Sequence, residues 1–247
     1  MTQLKINVVD NYEALCGKVT QEILDLSNKK ITLRNQFSIV LSGGSTPKGI
    51  YQCMASPSFR NKFRWDKIHF FWGDERWVPP EDQRSNYRMV SEALLTKVNI
   101  PPENIHPIQT KDYNLQTSVN KYEEIIKNFF KLKKDELPVF DLILLGIGQD
   151  GHTSSLFPGN PVLLVKDHLV ASASQKGIPE KRITLTYPAI NHAGMIYFLI
   201  SGLDKADIVA EVLENRNGGK LPAKEIKPTQ GDISWFLDKA AASKLRN

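Results

Sequence analysis

Four short apolar runs, FSIVL (37–41), IHFFW (68–72), FDLILLGI (140–147) and MIYFLI (195–200), each pass directly into a stretch rich in glycine and polar residues. None shows the polar alternation of a strand with one wet face, so each reads as a strand buried on both faces of a parallel sheet. Between them lie stretches of helical period at 14–28, 87–98, 118–130 and 206–213. This alternation predicts an open, doubly wound, mostly parallel α/β sheet with helices on both faces, as a single domain over residues 1–247. The tail GDISWFLDKAAASKL reads as a closing helix that starts near Asp232 or Ser234, with its alanines favouring that state. Segment 99–116 holds Pro101, Pro102 and Pro107 and reads as an irregular connection.

In a parallel sheet the loops that follow the strands emerge at one edge, where open α/β folds bind ligands. SGGSTP, GDERWVPP, GQDGHTSS and SGLDKA are therefore expected to share a site. In the first loop, Gly43 and Gly44 allow close backbone approach to a ligand, while Thr46 reads as an N-cap and Pro47 as the first helical residue. Such a helix start offers free N–H groups and a positive dipole end to an anion; the bland account is a well-capped turn. The loop lacks the Walker A lysine, and Pro47 stands where a nucleophile elbow needs glycine.

The run Gly146-Ile147-Gly148-Gln149-Asp150-Gly151 matches the dinucleotide fingerprint GxGxxG in letters only. Asp150 would set a carboxylate against a pyrophosphate, and no acidic residue ends a following strand at the expected distance. What remains is an Asp-Gly-His triplet. His152 suits proton transfer near neutral pH, and Asp150 can fix its tautomer. Asp74, Glu75 and Arg76 follow the second strand; a structural ion pair accounts for at least one of them, and the others are expected to face substrate. Arg182 and Lys205 are further cations that could hold a phosphate.

The rest of the composition narrows the partners. In 247 residues there are two cysteines, Cys16 and Cys53, outside any CxxC or Cys/His spacing, so a reducing, cytoplasmic compartment is the simpler reading. No basic start precedes an apolar stretch, and no apolar run approaches the roughly 18 residues of a membrane span. The formal charge is +5, but Lys and Arg are interleaved with Asp and Glu, so a nucleic-acid partner is not implied. His69, His106, His168 and His192 show no ligand spacing, which leaves a metal unsupported, and His69 reads as a packed strand residue.

The blocks SGGSTPKGIY, FFWGDERWVPPEDQRSNYRM, LLGIGQDGHTSSLFPG, RITLTYPAINHAGMIYFLISGLDKA and GDISWFLDKAAA resemble, in order and spacing, the 6-phosphogluconolactonase family, within the larger group that includes glucosamine-6-phosphate deaminase. The resemblance covers about residues 38–243. It implies cofactor-free hydrolysis of a small phosphorylated sugar lactone, 6-phosphoglucono-δ-lactone, in the second step of the oxidative pentose phosphate pathway. It also implies His152 as general base, Asp150 as its orienting partner, and Asp74 and Arg76 near the sugar. Gly43, Gly44, Ser45, Thr46, Arg182 and Lys205 would hold the phosphate. The sister deaminase carries a glutamate five residues after the triplet histidine, where this chain has Phe157. A non-catalytic sugar-phosphate sensor on the same fold is the other alternative, weakened by the intact Asp150 and His152.

Overall fold

The computed structural model describes residues 4–175, 177–216 and 218–246. In chain order the strands are β1 (Leu4–Val9), β2 (Phe37–Leu41), β3 (Ile68–Trp72), β4 (Asp74–Arg76), β5 (Ile105–His106), β6 (Leu142–Leu145), β7 (Val170–Ala173), β8 (Arg182–Leu185), β9 (Met195–Ile200) and β10 (Asp232–Asp238). The α-helices are α1 (Tyr12–Arg34), α2 (Ser45–Met54), α3 (Asn86–Ala93), α4 (Leu115–Phe130), α5 (Tyr187–Asn191), α6 (Ala206–Glu214) and α7 (Lys239–Ala242). Seven strands form a parallel sheet in the order β1-β10-β9-β6-β2-β3-β5, and β4, β8 and β7 form a small antiparallel sheet beside it.

The apolar runs form strands for the reason their composition gives. Every residue of β2 and β6 is buried, and one core cluster joins these strands to α1, α2, α4 and the antiparallel sheet. Local signals set the helix ends. The Asn11 side chain accepts the Ala14 N–H at 2.9 Å to start α1, which ends at Asn35 in the left-handed region (φ 58°). Asn114 opens α4 in the same way, accepting from Thr117 N–H at 2.9 Å. At the opposite edge from the loops, the buried Asp141 carboxylate accepts the Ser38 N–H at 3.0 Å and its hydroxyl at 3.1 Å, and pairs with Arg34. This latch ties β6 to β2 and to the end of α1.

One expected helix is a strand. The tail from Asp232 to Asp238 lies in the parallel sheet as β10, between β9 and β1, with Ile233 to Leu237 buried except for sub-tenth exposure. A strand covered on both faces has no alternation to show, and the alanines after it misdirect the reading. They form only the short α7, capped by Asp238, whose side chain accepts the Ala241 N–H at 2.7 Å. Segment 99–116 is irregular apart from a short 3-10 turn at Pro102–Asn104, the two-residue strand β5, which extends the sheet edge beyond β3, and the first two residues of α4. Among the described residues no helix is long and apolar enough to cross a membrane.

His69 is packed inside β3 and half-buried. Its Nδ1 lies 3.3 Å from His106 Nε2, and its ring sits 4.7 Å from that of Phe129. Burial pushes His69 below its ordinary pKa and His106 down to about 4, the latter helped by neighbouring His69. Unfolded histidine titrates near 6.5, so between roughly pH 6.5 and 4 the unfolded chain binds more protons than the folded one. Stability from this pair is therefore present above about pH 6.5 and lost as pH falls toward 4. Partial exposure limits it to about 1 kcal/mol. Thermal melting at pH 7 and pH 5 is expected to show a larger drop for the wild type than for His106→Phe; equal drops would contradict the assignment.

Candidate active site

The chain changes direction between β2 and β6, which are adjacent in the sheet. From β2 it runs through α2 to β3 and β5 on one side; from β6 it runs to β9 and β10 on the other. The loops leaving the two strands diverge, and a crevice opens between them. A cleft of about 260 Å³ occupies this position, lined by residues of all four polar loops.

One wall is the start of α2. The helix begins at Ser45, with Gly44 as its cap (φ 106°) and no side-chain cap bond, so its first N–H groups meet no protein oxygen from the cap residue. Thr46, expected as the cap, is the second helical residue, and Pro47 is the third rather than the first. The positive-φ backbone at Gly44 turns the chain into the helix two residues earlier than a Thr46 cap would. The loop itself is rigidly held. The hydroxyl of Tyr51, fully buried on α2, donates to Ser42 C=O and accepts from Ser42 N–H, each at 2.9 Å, and Tyr12 of α1 donates to Ser45 C=O at 3.0 Å. Tyr122 of α4 pins Trp72, the last residue of β3, in the same double fashion at 2.8 Å. Both tyrosines thus satisfy main-chain groups where the sheet ladder stops, and burial pushes both phenols up.

The facing wall is the turn after β6. No helix starts there, which removes the dinucleotide-type geometry. The chain closes a tight turn through Gly148 N–H to His152 C=O (2.8 Å) and Gly151 N–H to Gly148 C=O (2.9 Å). His152 Nδ1 lies 2.5 Å from Asp150 Oδ1, and the same oxygen accepts the His152 main-chain N–H at 3.1 Å. A Cβ at Gly148 would lie 2.1 Å from His152 Nδ1, so only glycine leaves room for this ring. Because an ionised carboxylate only accepts, the contact assigns the proton to Nδ1 and leaves the lone pair on Nε2. The His152 ring also packs on Phe157, with centroids 4.8 Å apart.

The third side comes from the antiparallel sheet. Arg76 of β4 and Arg182 of β8 are register partners, and both line the cleft. Each has a buried Nε without a hydrogen-bond partner. Burial and then the charge of Arg76 lower the Arg182 pKa, opposed by Asp74 and Glu75. Arg76 Nη1 donates to Arg84 C=O at 2.6 Å, but the two like charges side by side, each with an unpartnered Nε, favour an anion between or beside them.

Asp74 also lines the cleft. Its carboxylate accepts from Ser155 Oγ at 2.7 Å and from Asn86 Nδ2 at 3.4 Å. Glu75 turns the other way, into the protein. It accepts main-chain N–H groups of Arg76 (2.7 Å), Asn86 (2.8 Å) and Tyr87 (2.7 Å) and the Ser85 hydroxyl (3.1 Å), and burial raises its pKa. It is the structural member of the acidic and basic cluster, though it binds main chain rather than a cation, and it anchors the start of α3.

Gly43, Gly44, Ser45, Thr46, Asp74, Arg76, His152, Arg182 and Lys205 all line the one cleft; Asp150 stands behind His152. Asn86, Ser155 and Tyr51 went unrecognised in the sequence. Ser155 and Tyr51 act through other residues, whereas Asn86 lines the cleft itself with a buried Oδ1 that has no hydrogen-bond partner; an asparagine, serine or tyrosine in such a role carries no spacing signal. Among the described residues no three His, Cys, Asp or Glu side chains gather as a metal ligand set.

The sequence profile described as glucosamine-6-phosphate isomerases/6-phosphogluconolactonase matches residues 10–235. The chain is 41% identical over 241 residues to a 6-phosphogluconolactonase of Nostoc sp., covering 97% of this chain and 98% of the relative. It is 39% identical over 243 residues to one of Synechocystis sp., covering 98% of both. In structure it resembles 6-phosphogluconolactonase from Trypanosoma cruzi with a TM-score of 0.88 at 28% identity, over 100% of this chain and 99% of that one. With the cleft at the switch point and the match running nearly end to end, the chain belongs to the glucosamine-6-phosphate isomerase/6-phosphogluconolactonase family.

Proposed function

We propose that this protein hydrolyses 6-phosphoglucono-δ-lactone to 6-phosphogluconate, with His152 as general base. The observation that carries the reading is that His152, paired with Asp150, lines one cleft with a bare helix start and the cations Arg76, Arg182 and Lys205. A phosphate dianion at the N-terminus of α2, held by Ser45, Thr46, Arg182 and Lys205 and approached closely by the Gly43-Gly44 backbone, fixes one end of the sugar. The lactone carbonyl then faces His152, whose Nε2 takes a proton from water as the water oxygen attacks. Asp150 holds the ring and stabilises the imidazolium that forms. As the tetrahedral intermediate collapses, the bond from the carbonyl carbon to the ring oxygen breaks and the imidazolium gives its proton to that oxygen, which becomes the hydroxyl of the open-chain acid. Asp74 positions the sugar ring, and Arg76 faces the negative charge that develops on the carbonyl oxygen.

The chemistry asks little more. A lactone is an activated ester, and a positioned base contributes about 10²–10⁴ in rate, with the phosphate handle supplying orientation. No serine nucleophile and no cofactor enter the scheme. Phe157 supports the lactonase over the deaminase, because an aromatic ring packed on His152 cannot supply the carboxylate that partners this histidine in the sister enzyme. The free thiols of Cys16 and Cys53 support a reducing, cytoplasmic setting.

The direct test is decay of freshly generated 6-phosphoglucono-δ-lactone in EDTA, beside ammonia release from glucosamine 6-phosphate. Rapid lactone loss without ammonia is expected; ammonia release, or silence in both assays, would overturn the reading. His152→Ala is expected to lower kcat by about 10²–10⁴ while 6-phosphogluconate still binds. Asp150→Asn is expected to cost less, and a larger loss would make Asp150 itself the proton carrier. The double variant Arg182→Ala/Lys205→Ala is expected to raise KM at least about tenfold. An unchanged KM would remove both from the phosphate site.

A further inference from the structure

The turn that carries Asp150 and His152 is held from behind by a segment that never reaches the cleft. The N–H of Ala223 donates to Gly151 C=O at 3.0 Å. Leu221 packs flat over Gly151: a Cβ there would lie 2.9 Å from both Cβ and Cδ2 of Leu221, and Gly151 itself has φ 79°. The segment is in turn clamped to the body of the protein. Tyr187 of α5 donates to Pro222 C=O at 3.1 Å. The ammonium of Lys224, a largely buried side chain, reaches Glu211 of α6 at 2.6 Å, Asn215 Oδ1 at 2.7 Å and Gly219 C=O at 3.1 Å. No residue from 221 to 225 lines the cleft.

We infer that this segment is a positioning element for the Asp150–His152 pair, with Leu221 and Lys224 as positioning residues for the hydrolysis proposed above, on which the inference rests. A turn of so few residues has little packing of its own, and its middle residue is a glycine in a conformation that side chains avoid. Without the contacts at Gly151, Asp150 and His152 keep their bond only at the cost of holding the turn unaided. Because the segment does not touch the substrate cleft, loosening it changes the placement of Nε2 and leaves the phosphate wall, α2 with Arg182 and Lys205, as it was. The effect belongs in kcat, since misplacement of a catalytic group by about 1 Å can cost about 10²-fold.

The test uses Leu221→Ala and Lys224→Met in the full chain. Each is expected to lower kcat for the lactone about tenfold, with KM and 6-phosphogluconate affinity within about twofold of wild type. A fall in Tm with kcat unchanged, or a KM rising in step, would overturn the inference. Gly151→Ala collides with both Cβ and Cδ2 of Leu221, so adding Leu221→Gly, which removes both atoms, is expected to recover part of the lost kcat; losses that simply add would contradict the contact. A readout free of turnover is the proton NMR resonance of His152 Nδ1–H. It is expected to exchange faster with water in Leu221→Ala than in wild type. An unchanged resonance overturns the inference whatever the enzyme does, whereas the expected change in a protein without lactonase activity overturns the functional reading alone.

Discussion

The parting of the chain between β2 and β6 is the constraint on which the rest of this structure depends. Two adjacent parallel strands, joined at Ile39–Leu142 and Val40–Ile143, send their continuations in opposite directions, so a crevice opens between the loops that leave them. The parallel arrangement itself follows from strands buried on both faces, whose main-chain groups can be satisfied only by neighbouring strands. At the cleft edge that supply runs out, and Tyr51 and Tyr122 reach in from α2 and α4 to bond the terminal N–H and C=O groups. The crevice is thus a necessary product of the fold, and its rims are stiff.

Chemistry is then distributed by element. The α2 start contributes main-chain donors, the turn after β6 contributes a histidine with a fixed tautomer, and the antiparallel sheet contributes paired arginines and Asp74. The antiparallel sheet matters because β4 follows β3 after a single residue, Gly73, and pairs with β8 from more than a hundred residues later in the chain. This pairing brings Arg182 beside Arg76. Glu75, turned inward to hold the start of α3, sets the alternation that leaves Asp74 and Arg76 facing the cleft.

Much of this was legible in the sequence, because burial on both faces leaves an unbroken apolar run and a binding edge leaves glycine and polar residues directly after it. FSIVL, IHFFW, DLILL and MIYFLI each declare a strand and the loop that follows. ISWFL in β10 carries the same signal, masked by the alanines beyond Asp238. β1 was not legible: Leu4, Ile6 and Val8 are half-exposed at the sheet edge, and its pairing depends on β10. The antiparallel sheet was hidden because three or four residues per strand carry no periodicity, and its pairing is a property of the assembled chain. Thr46 was misplaced as the cap because a glycine with positive φ can end the preceding loop without any side-chain bond. Supporting residues such as Tyr51, Ser155 and Leu221 matter through what they hold, and holding leaves no motif.

The central claim is that the cleft contains a base whose free lone pair is on Nε2 of His152, set by Asp150 at 2.5 Å from Nδ1. Nitrogen-15 NMR of histidine-labelled protein, with and without 6-phosphogluconate, reads this directly at a pH where the ring is neutral. The account predicts a protonated Nδ1 and an unprotonated Nε2 for His152. A proton on Nε2 would contradict it, since that nitrogen could then take none from water.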